Sequence, residues 1–270
     1  MNLSGKTEVY GIVGFPVKHS LSPVFQNAFF EYLSLDAVYV PFEVKPDSFK
    51  EAFLGLKALG VKGVNITVPF KERAFELCDL SDEPSKVIRA VNTVKFTDRI
   101  EGYNTDWIGF LRALRELEKE LEGKKVLVLG AGGTAKAVVY ALSREGCYIY
   151  IFNRTYERAI ELARNFSAQV VKKPEDVLDD ADIIINTTSV GLSDDDPPLF
   201  DYQMLRDHHI VFDVIYRSTP LVKTALKKGA KAQNGLSMLI YQGMESFRIW
   251  TGLEAPVSVA INSLSDYVLS

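Results

Sequence analysis

The 270-residue sequence holds little of what builds metal centres or cross-linked scaffolds. It has two cysteines, Cys78 and Cys147, far apart and without a CxxC pair, and three histidines, His19, His208 and His209. A disulfide framework and a zinc cluster are excluded, and no metal is expected. No apolar run reaches the roughly 18 residues that a membrane span needs. EVYGIVGF, near the start, is a short strand-like run ending in Gly14 and Pro16 rather than a signal segment. The cytoplasm is the expected location. Charge of one sign is scarce too: 31 basic and 35 acidic residues leave a net charge of −4, and the longest like-charge run is Asp194, Asp195, Asp196. Nucleic acid and anionic membranes are therefore poor partners. What is present is ordinary, since 47% hydrophobic and 24% charged residues match globular proteins and exclude long disorder, collagen-like repeats and coiled coil. At about 150 residues per domain, the length suits one to two domains.

Short β-rich runs alternate with helical patterns, which indicates an α/β fold built around largely parallel sheets. Residues 8–15 predict a strand, and Ser22 with Pro23 predicts the N-cap and first position of a helix carrying Phe25, Phe29, Tyr32 and Leu33. AVYVPFEV predicts the next strand. Pro46 opens a helix with Phe49, Phe53 and Leu56 on one face, and Gly60 stands where it should end. GVNITV predicts a strand running into Pro69, VNTVKF and the stretch after Asp98 a hairpin, and Asp106 the start of a helix reaching about Glu120. From Lys125 the pattern restarts as VLVLG, a helix to Arg144, YIYIF, a helix to Phe166, a short strand near Val170, ADIIIN and IVFDV. That predicts a doubly wound second domain. Two helical stretches after Gly235 are too little for a third domain and are expected to pack on one or both of the others.

The sharpest motif is VLVLGAGGTAKAVVYAL, where a buried-type strand meets Gly130, Ala131, Gly132 and Gly133 and passes into an apolar helix. A dinucleotide pyrophosphate needs such glycines, because the chain must turn tightly and bring N–H groups to the anion at the helix N-terminus. Thr134 adds a small hydroxyl and Ala135 close packing. A glycine turn without a ligand is the alternative. About 20 residues on, an acid normally holds the ribose of NAD. Here the chain reads Asn153, Arg154, Thr155, with Arg158 one turn later, a cationic set suited to a 2′-phosphate. Two solvated arginines at a helix start are the alternative reading.

HSLSP, GVNITVPFK, AVNTV and GYNTDWIG are rich in uncharged polar side chains with one or two charges, as suits a small hydroxylated ligand. With these segments, NRT, NTTSVGL, VFDVIY and GLSMLIYQG, the sequence resembles the shikimate dehydrogenase family over essentially its whole length. The resemblance implies an NADP-dependent oxidoreductase that reduces 3-dehydroshikimate to shikimate in aromatic amino-acid biosynthesis. It implies an α/β substrate domain over residues 1–106, with helices of 238–270 packing back on it. A Rossmann-type NADP domain over 107–237 completes the chain, with the active site in the cleft between the domains. A small-molecule substrate and a monomer or homodimer are expected.

By the same resemblance, Ser20 and Ser22 bind the substrate carboxylate, and Asn65, Thr67, Asn92 and Gln242 bind the ring hydroxyls, with Tyr216 in the same set. Taken alone, Ser22 is equally a helix cap and the others are turn or capping residues. Thr188, Val214, Gly235 and Met238 join the cofactor set, although an isolated methionine on a helix is usually core. Lys71 and Asp106 are the implied catalytic proton-transfer pair. Lys71 falls at a predicted helix start, where the macrodipole disfavours a cation; Asp106 falls at another, where capping alone accounts for an acid. The chain departs from the family pattern at Phe15, at Gln26, and at Arg217 and Ser218, which replace the usual Asn-Pro after Tyr216 and leave that loop's shape open. The nearest rival is a quinate-oxidising relative using NAD, which Arg154 opposes. A non-catalytic dinucleotide-binding regulator is the rival from another class, opposed by the retention of both Lys71 and Asp106.

Overall fold

The computed structural model describes residues 3–193 and 195–268, so Asp194 of the acidic triplet lies outside the described residues. Two compact units divide the chain. One takes the sequence up to Thr105 and again from Ile240, and the other is Asp106–Leu239. Each is built on its own six-stranded sheet.

The first unit opens with β1 (Glu8–Gly14), α1 (Ser22–Tyr32), β2 (Ala37–Glu43), α2 (Phe49–Ala58) and β3 (Gly63–Ile66). It continues with α3 (Lys71–Leu77), β4 (Leu80–Ser81), α4 (Glu83–Ile88), β5 (Thr93–Phe96) and β6 (Ile100–Tyr103). The strand order is β2-β1-β3-β5-β6-β4. β1 is parallel to β2 and β3, whereas β5 is antiparallel to β3 and β6. This sheet is therefore mixed rather than largely parallel, because the link between Phe96 and Ile100 is too short for a crossover and can only reverse the chain. Val64 and Ile66 of β3 are buried in a core with Phe49, Phe53 and Phe70, and the Phe49 and Phe70 rings stack with centroids 4.3 Å apart. Burying each such side chain contributes about 1.5–3 kcal/mol.

Ser22 is not the N-cap of α1. Leu21 takes that position without a side-chain cap bond, and Ser22 is already helical, with Pro23 in the first turn. The Ser22 amide donates instead to Ser20 Oγ at 3.3 Å, so the earlier serine meets the need that a cap would meet.

The second unit comprises α5 (Asp106–Leu117), β7 (Lys125–Leu129), α6 (Gly133–Arg144), β8 (Tyr148–Phe152), α7 (Tyr156–Arg164) and β9 (Gln169–Val170). Then follow β10 (Ile183–Asn186), β11 (Ile210–Asp213), α8 (Pro220–Lys227) and β12 (Lys231–Gln233). Every pairing in its sheet is parallel, in the order β12-β11-β10-β7-β8-β9. This is the doubly wound dinucleotide-binding order, with its switch point between β7 and β10. Val126–Leu129, Ile183–Ile185, Val211 and Phe212 are buried, as strands covered on both faces must be.

The chain closes with α9 (Leu236–Thr251), α10 (Val257–Ser263) and α11 (Ser265–Val268). From Ile240 these helices belong to the first unit, where α10 packs on α1. On α9, the Trp250 indole donates to Val94 O at 2.9 Å, and its ring fills the space that a Cβ at Gly63 would need. The Phe247 ring meets those of Phe29 and Phe30 at 5.4 and 5.3 Å. Among the described residues, no helix is long and apolar enough to cross a membrane.

His209, just before β11, is fully buried. Its Nδ1 accepts from the Arg206 amide at 2.9 Å and its Nε2 lies 3.2 Å from Leu178 O, which assigns the neutral ring with the proton on Nε2. Burial, reinforced by the neighbouring His208, holds its pKa below the ordinary value. The unfolded chain takes up this proton near pH 6.5, while the folded chain refuses it until lower pH. The stabilisation is therefore whole above about pH 6.5 and is lost as pH falls towards the lowered folded-state value. Melting curves at about pH 7.5 and about pH 5.5 are expected to show a steeper loss of stability on acidification for wild type than for His209→Gln. Equal slopes would remove His209 from this account.

Candidate functional site

Strand direction decides which residues of the first unit meet. β1 and β3 end at one edge of the sheet, and because β5 is antiparallel its first residue lies there too, with Thr93 opposite Asn65 and Tyr103. Ser20 and Ser22 follow β1, Thr67 and Lys71 follow β3, Asn92 precedes β5 and Thr105 follows β6, so all reach the same edge. Backbone bonds fasten these segments: the Thr67 amide donates to Val13 O at 2.9 Å, Phe15 to Val68 O at 3.0 Å, Ile66 to Asn92 O at 2.8 Å and Val91 to Lys71 O at 3.0 Å. Lys71, half-buried, is the first residue of α3.

Behind this edge lies a network of uncharged polar groups. Asn65 is 4% exposed; its Oδ1 accepts from the Tyr39 hydroxyl at 2.8 Å, and its Nδ2 donates to Asn92 O at 3.0 Å and Ser246 Oγ at 2.9 Å. Asn92 Oδ1 accepts from the Thr105 amide at 2.7 Å, while its Nδ2 donates to Thr105 Oγ1 at 2.9 Å and Gln242 Oε1 at 3.1 Å. Gln242 is carried by α9, which a bond from Gln26 Nε2 to Gly243 O at 2.9 Å holds one residue further on. Burial pushes the Tyr39 phenol far above its ordinary pKa, and a hydrogen bond with Ser22 offsets part of that shift. The phenol therefore stays protonated and donating.

In the second unit, Asp106 is the first residue of α5 and is buried. Gly130, at the end of β7, has φ +117°, its amide donates to Phe152 O at 2.8 Å, and the Thr187 hydroxyl stands where a Cβ would be. Only glycine fits this turn. Gly132 is the exposed N-cap of α6, with nothing within 4 Å of the place its Cβ would take. Gly133 and Thr134 form the half-exposed first turn, while Ala131 and Ala135 are buried beneath it. No acid lies in this first turn, so open space and free backbone donors at the end of a 12-residue helix fit a pyrophosphate. At the end of β8, Asn153 Nδ2 donates to Thr155 O at 2.8 Å, and Thr155 is the N-cap of α7. Arg154, Thr155 and Arg158 are exposed, and neither arginine has an ion pair among the described residues. A second phosphate fits there.

The loops after β10 and β11 are held by a buried carboxylate. Asn186 Oδ1 accepts from Thr188 N at 2.9 Å and Thr188 Oγ1 at 2.7 Å, and its Nδ2 donates to Asp213 Oδ1 at 3.0 Å. Asp213, whose carboxyl burial holds above its usual pKa, also accepts from Ile215 N at 3.1 Å and Thr219 Oγ1 at 2.7 Å. The Val214 amide donates to Asn186 O at 3.0 Å, and Gly235 lies so close to the Val214 carbonyl that no side chain fits. Met238 is buried and Tyr216 is 39% exposed. The loop left open by the missing Asn-Pro is shaped by Arg217, whose Nε and Nη2 both donate to Gly191 O, at 3.1 and 2.9 Å.

Sequence reasoning missed Tyr39, Thr93, Thr105, Ser246, Asn186 and Asp213. Ser246 carried a signal, since it lies one helical turn after Gln242. Thr93 and Thr105 sat inside AVNTV and GYNTDWIG beside residues already singled out.

A parallel sheet in dinucleotide-binding order, a glycine loop at its switch point and a second α/β unit with a polar sheet edge define the two-unit nucleotide-dependent oxidoreductases. Three family descriptions match in succession: the shikimate dehydrogenase substrate binding domain at residues 12–94, shikimate / quinate 5-dehydrogenase at 112–192, and the shikimate 5′-dehydrogenase C-terminal domain at 235–264. The shikimate dehydrogenase (NADP(+)) of Aquifex aeolicus is 53% identical over 265 residues, covering 98% of both chains. A crystal structure of shikimate dehydrogenase from Aquifex aeolicus superposes with a TM-score of 0.96 at 53% identity, covering 97% of this chain and 99% of that one. The Thermus thermophilus enzyme in complex with NADP(H) and shikimate superposes with a TM-score of 0.90 at 34% identity, covering 97% and 100%. The chain belongs to the shikimate dehydrogenase family.

Gly130→Ala places a side chain at positive φ against Thr187, and is expected to lower stability by more than about 1 kcal/mol. Urea unfolding checks this, and an unchanged midpoint would show that the loop can relax.

Proposed function

We propose that this chain catalyses the reversible NADP-dependent reduction of 3-dehydroshikimate to shikimate, a step of aromatic amino-acid biosynthesis. The observation that carries the reading is the 53% identity, over 98% of both chains, to an NADP-dependent shikimate dehydrogenase. The polar edge of the first sheet supports it with neutral donors and acceptors of the kind a polyhydroxylated ring requires. Bound NADPH supplies the hydride that forms the new C–H bond at the carbonyl carbon. The C–O π pair then takes a proton from the Lys71 and Asp106 pair, giving the hydroxyl, and the reverse reaction returns that proton.

Ser20 and Ser22 receive the substrate carboxylate. Asn65, Thr67, Asn92, Tyr216 and Gln242 form the substrate set, with the amides of Asn65 and Asn92 supporting from behind. Gly130, Ala131, Gly132, Gly133, Thr134 and Ala135 hold the pyrophosphate, while Asn153, Arg154, Thr155 and Arg158 hold the 2′-phosphate. Thr188, Val214, Gly235 and Met238 line the nicotinamide end. We take residues 1–106 with 238–270 as the substrate domain and 107–237 as the cofactor domain, a division that lies within two residues of that between the units at Thr105 and Ile240. The unpaired thiols Cys78 and Cys147 suit a reducing compartment, which we take to be the cytoplasm. The molecule works as a monomer or homodimer.

Mixing the protein with shikimate and NADP should raise the absorbance of the reduced nicotinamide; silence with shikimate under every cofactor would overturn the reading. Lys71→Ala should cut turnover by about 10² to 10⁴ with a much smaller change in the shikimate KM. A raised KM at normal turnover would make Lys71 a binding residue instead. A charge-assisted contact is worth about 1.5–3 kcal/mol, so Arg154→Ala should weaken NADP about tenfold to a hundredfold and leave NAD almost unchanged. The kcat/KM ratio for the two cofactors measures this, and an equal loss for both would make Arg154 a structural residue.

A further inference from the structure

Asn234 and Gly235 form the one Asn-Gly pair in the sequence, and they stand immediately before α9. Such a pair can react with itself when the glycine nitrogen reaches the asparagine Cγ, because the glycine puts no side chain in the way. Here Leu236 N donates to Asn234 Oδ1 at 3.1 Å, a turn that brings the side-chain carbonyl over the following backbone. The same bond places a donor on the oxygen where negative charge gathers during attack. Asn234 is half-buried, so water reaches it. The nucleophile, by contrast, is withheld: Gly235 is buried, its N–H donates to Ile215 O at 3.0 Å, and its carbonyl accepts from Leu239 N at 2.9 Å. The glycine is itself obligatory, because a Cβ there would collide with the Val214 carbonyl.

We propose that Asn234 is a site of self-modification, primed by the Leu236 amide and held closed in the folded chain by the bond from Gly235 to Ile215. When that bond opens and solvent base takes the Gly235 N–H proton, the nitrogen adds to Asn234 Cγ. The Cγ–Nδ2 bond then breaks, Nδ2 leaves as ammonia with a proton from water, and a five-membered imide joins the two residues. Water adds to either imide carbonyl. Opening the bond to Cγ leaves an aspartate in normal linkage. Opening the bond to the main-chain carbonyl carbon leaves an isoaspartate, in which the chain runs through Cβ and Cγ and is longer by an atom. No oxidant or reductant takes part. With the longer linkage, Gly235 cannot keep both its bond to Ile215 and its place against Val214. Gly235 and Val214 belong to the set assigned above to the nicotinamide end. The functional half of the inference therefore rests on the shikimate dehydrogenase reading: NADP-dependent turnover is lost as isoaspartate accumulates.

The test holds the protein warm at mildly alkaline pH and follows the tryptic segment 232–248 by mass for the exchange of NH₂ for OH at residue 234. Native protein is compared with the same chain unfolded in guanidinium chloride, and with Asn234→Gln, whose longer side chain slows ring closure. Conversion is expected in the unfolded chain and at least about fivefold slower in the native one, as even a small local opening imposes. Equal rates in the two would overturn the closed state, and no conversion at residue 234 in the unfolded chain would overturn the site itself. In native protein, oxidation of shikimate by NADP should fall in step with the isoaspartate form, resolved chromatographically from the aspartate form. Asn234→Gln should keep its starting activity through the same incubation. Asn234→Asp, which keeps the normal linkage and an acceptor for Leu236 N, should hold its NADP KM within about threefold of wild type. Full activity in protein carrying the isoaspartate, or an Asn234→Asp variant impaired as much as that protein, would overturn the functional half. If fresh wild type fails to oxidise shikimate, the functional reading falls, while the mass measurements still decide the chemistry at Asn234.

Discussion

A buried amide has to place both its protons and its oxygen inside the protein, and Asn65 sets the terms for the first unit by being one. Its bonds to Tyr39, Asn92 O and Ser246 connect β2, the segment before β5, and α9. Leaving one such group unmatched costs about 1–3 kcal/mol, so these segments cannot shift independently. The closing helices therefore do more than cover apolar surface. α9 is fastened on several sides, by Ser246, by Trp250 to Val94 O, by Lys95 Nζ to Ile249 O at 2.9 Å and by Gln26 to Gly243 O. Gln26 marks the limit of this matching: its Oε1 is buried and accepts no hydrogen bond among the described residues.

The two units divide stability and selectivity differently. In the first, Asn65, Asn92 and Gln242, all assigned to the substrate, are buried and joined by hydrogen bonds to the fold, so recognition and folding draw on the same bonds. In the second, the central strands are almost wholly apolar, and Arg154, Thr155 and Arg158, assigned to the 2′-phosphate, stand exposed at a helix start. Exposed charges contribute little to stability, so the cofactor preference can change there with little effect on the fold. Asp213 is the exception, a buried carboxylate whose hydrogen bonds hold the loops beyond β10 and β11.

The sequence made the fold legible wherever the hydrophobic period was long and uninterrupted. VLVLG, YIYIF, ADIIIN and IVFDV all correspond to strands of the parallel sheet, and their order identified its winding. The misreadings come from local chemistry. At Ser22 and Pro23 the expected cap is absent, because Ser20 already serves the free amide. The same signature is genuine at two other helix starts: Asp82 caps α4, accepting from Ser85 N at 2.9 Å, and Thr219 caps α8, accepting from Val222 N at 3.3 Å. Both precede a proline in the first turn, but α4 and α8 are short, and their periodicity is too brief to register. β4 and β12, two and three residues long, carry even less pattern. The network behind the sheet edge was illegible for another reason. A threonine such as Thr93 reads as an ordinary strand residue until the register places it opposite Asn65.

The β5–β6 reversal has a consequence for how this molecule can vary. Both ends of the hairpin, at Thr93 and Tyr103, lie at the polar edge, while its turn at residues 97–99 lies four strand residues away, or about 13 Å at the usual rise. Thr97, Asp98 and Arg99 are exposed, and none of them takes part in the Asn65 network. Lengthening the chain at this turn is expected to leave the strand register and the Asn65 network unchanged, at the cost of local bonds such as Lys57 Nζ to Asp98 O at 2.7 Å. It is the place on the first unit where an inserted epitope, a fluorophore attachment or a surface tether can be carried with the chemistry at the opposite edge left intact.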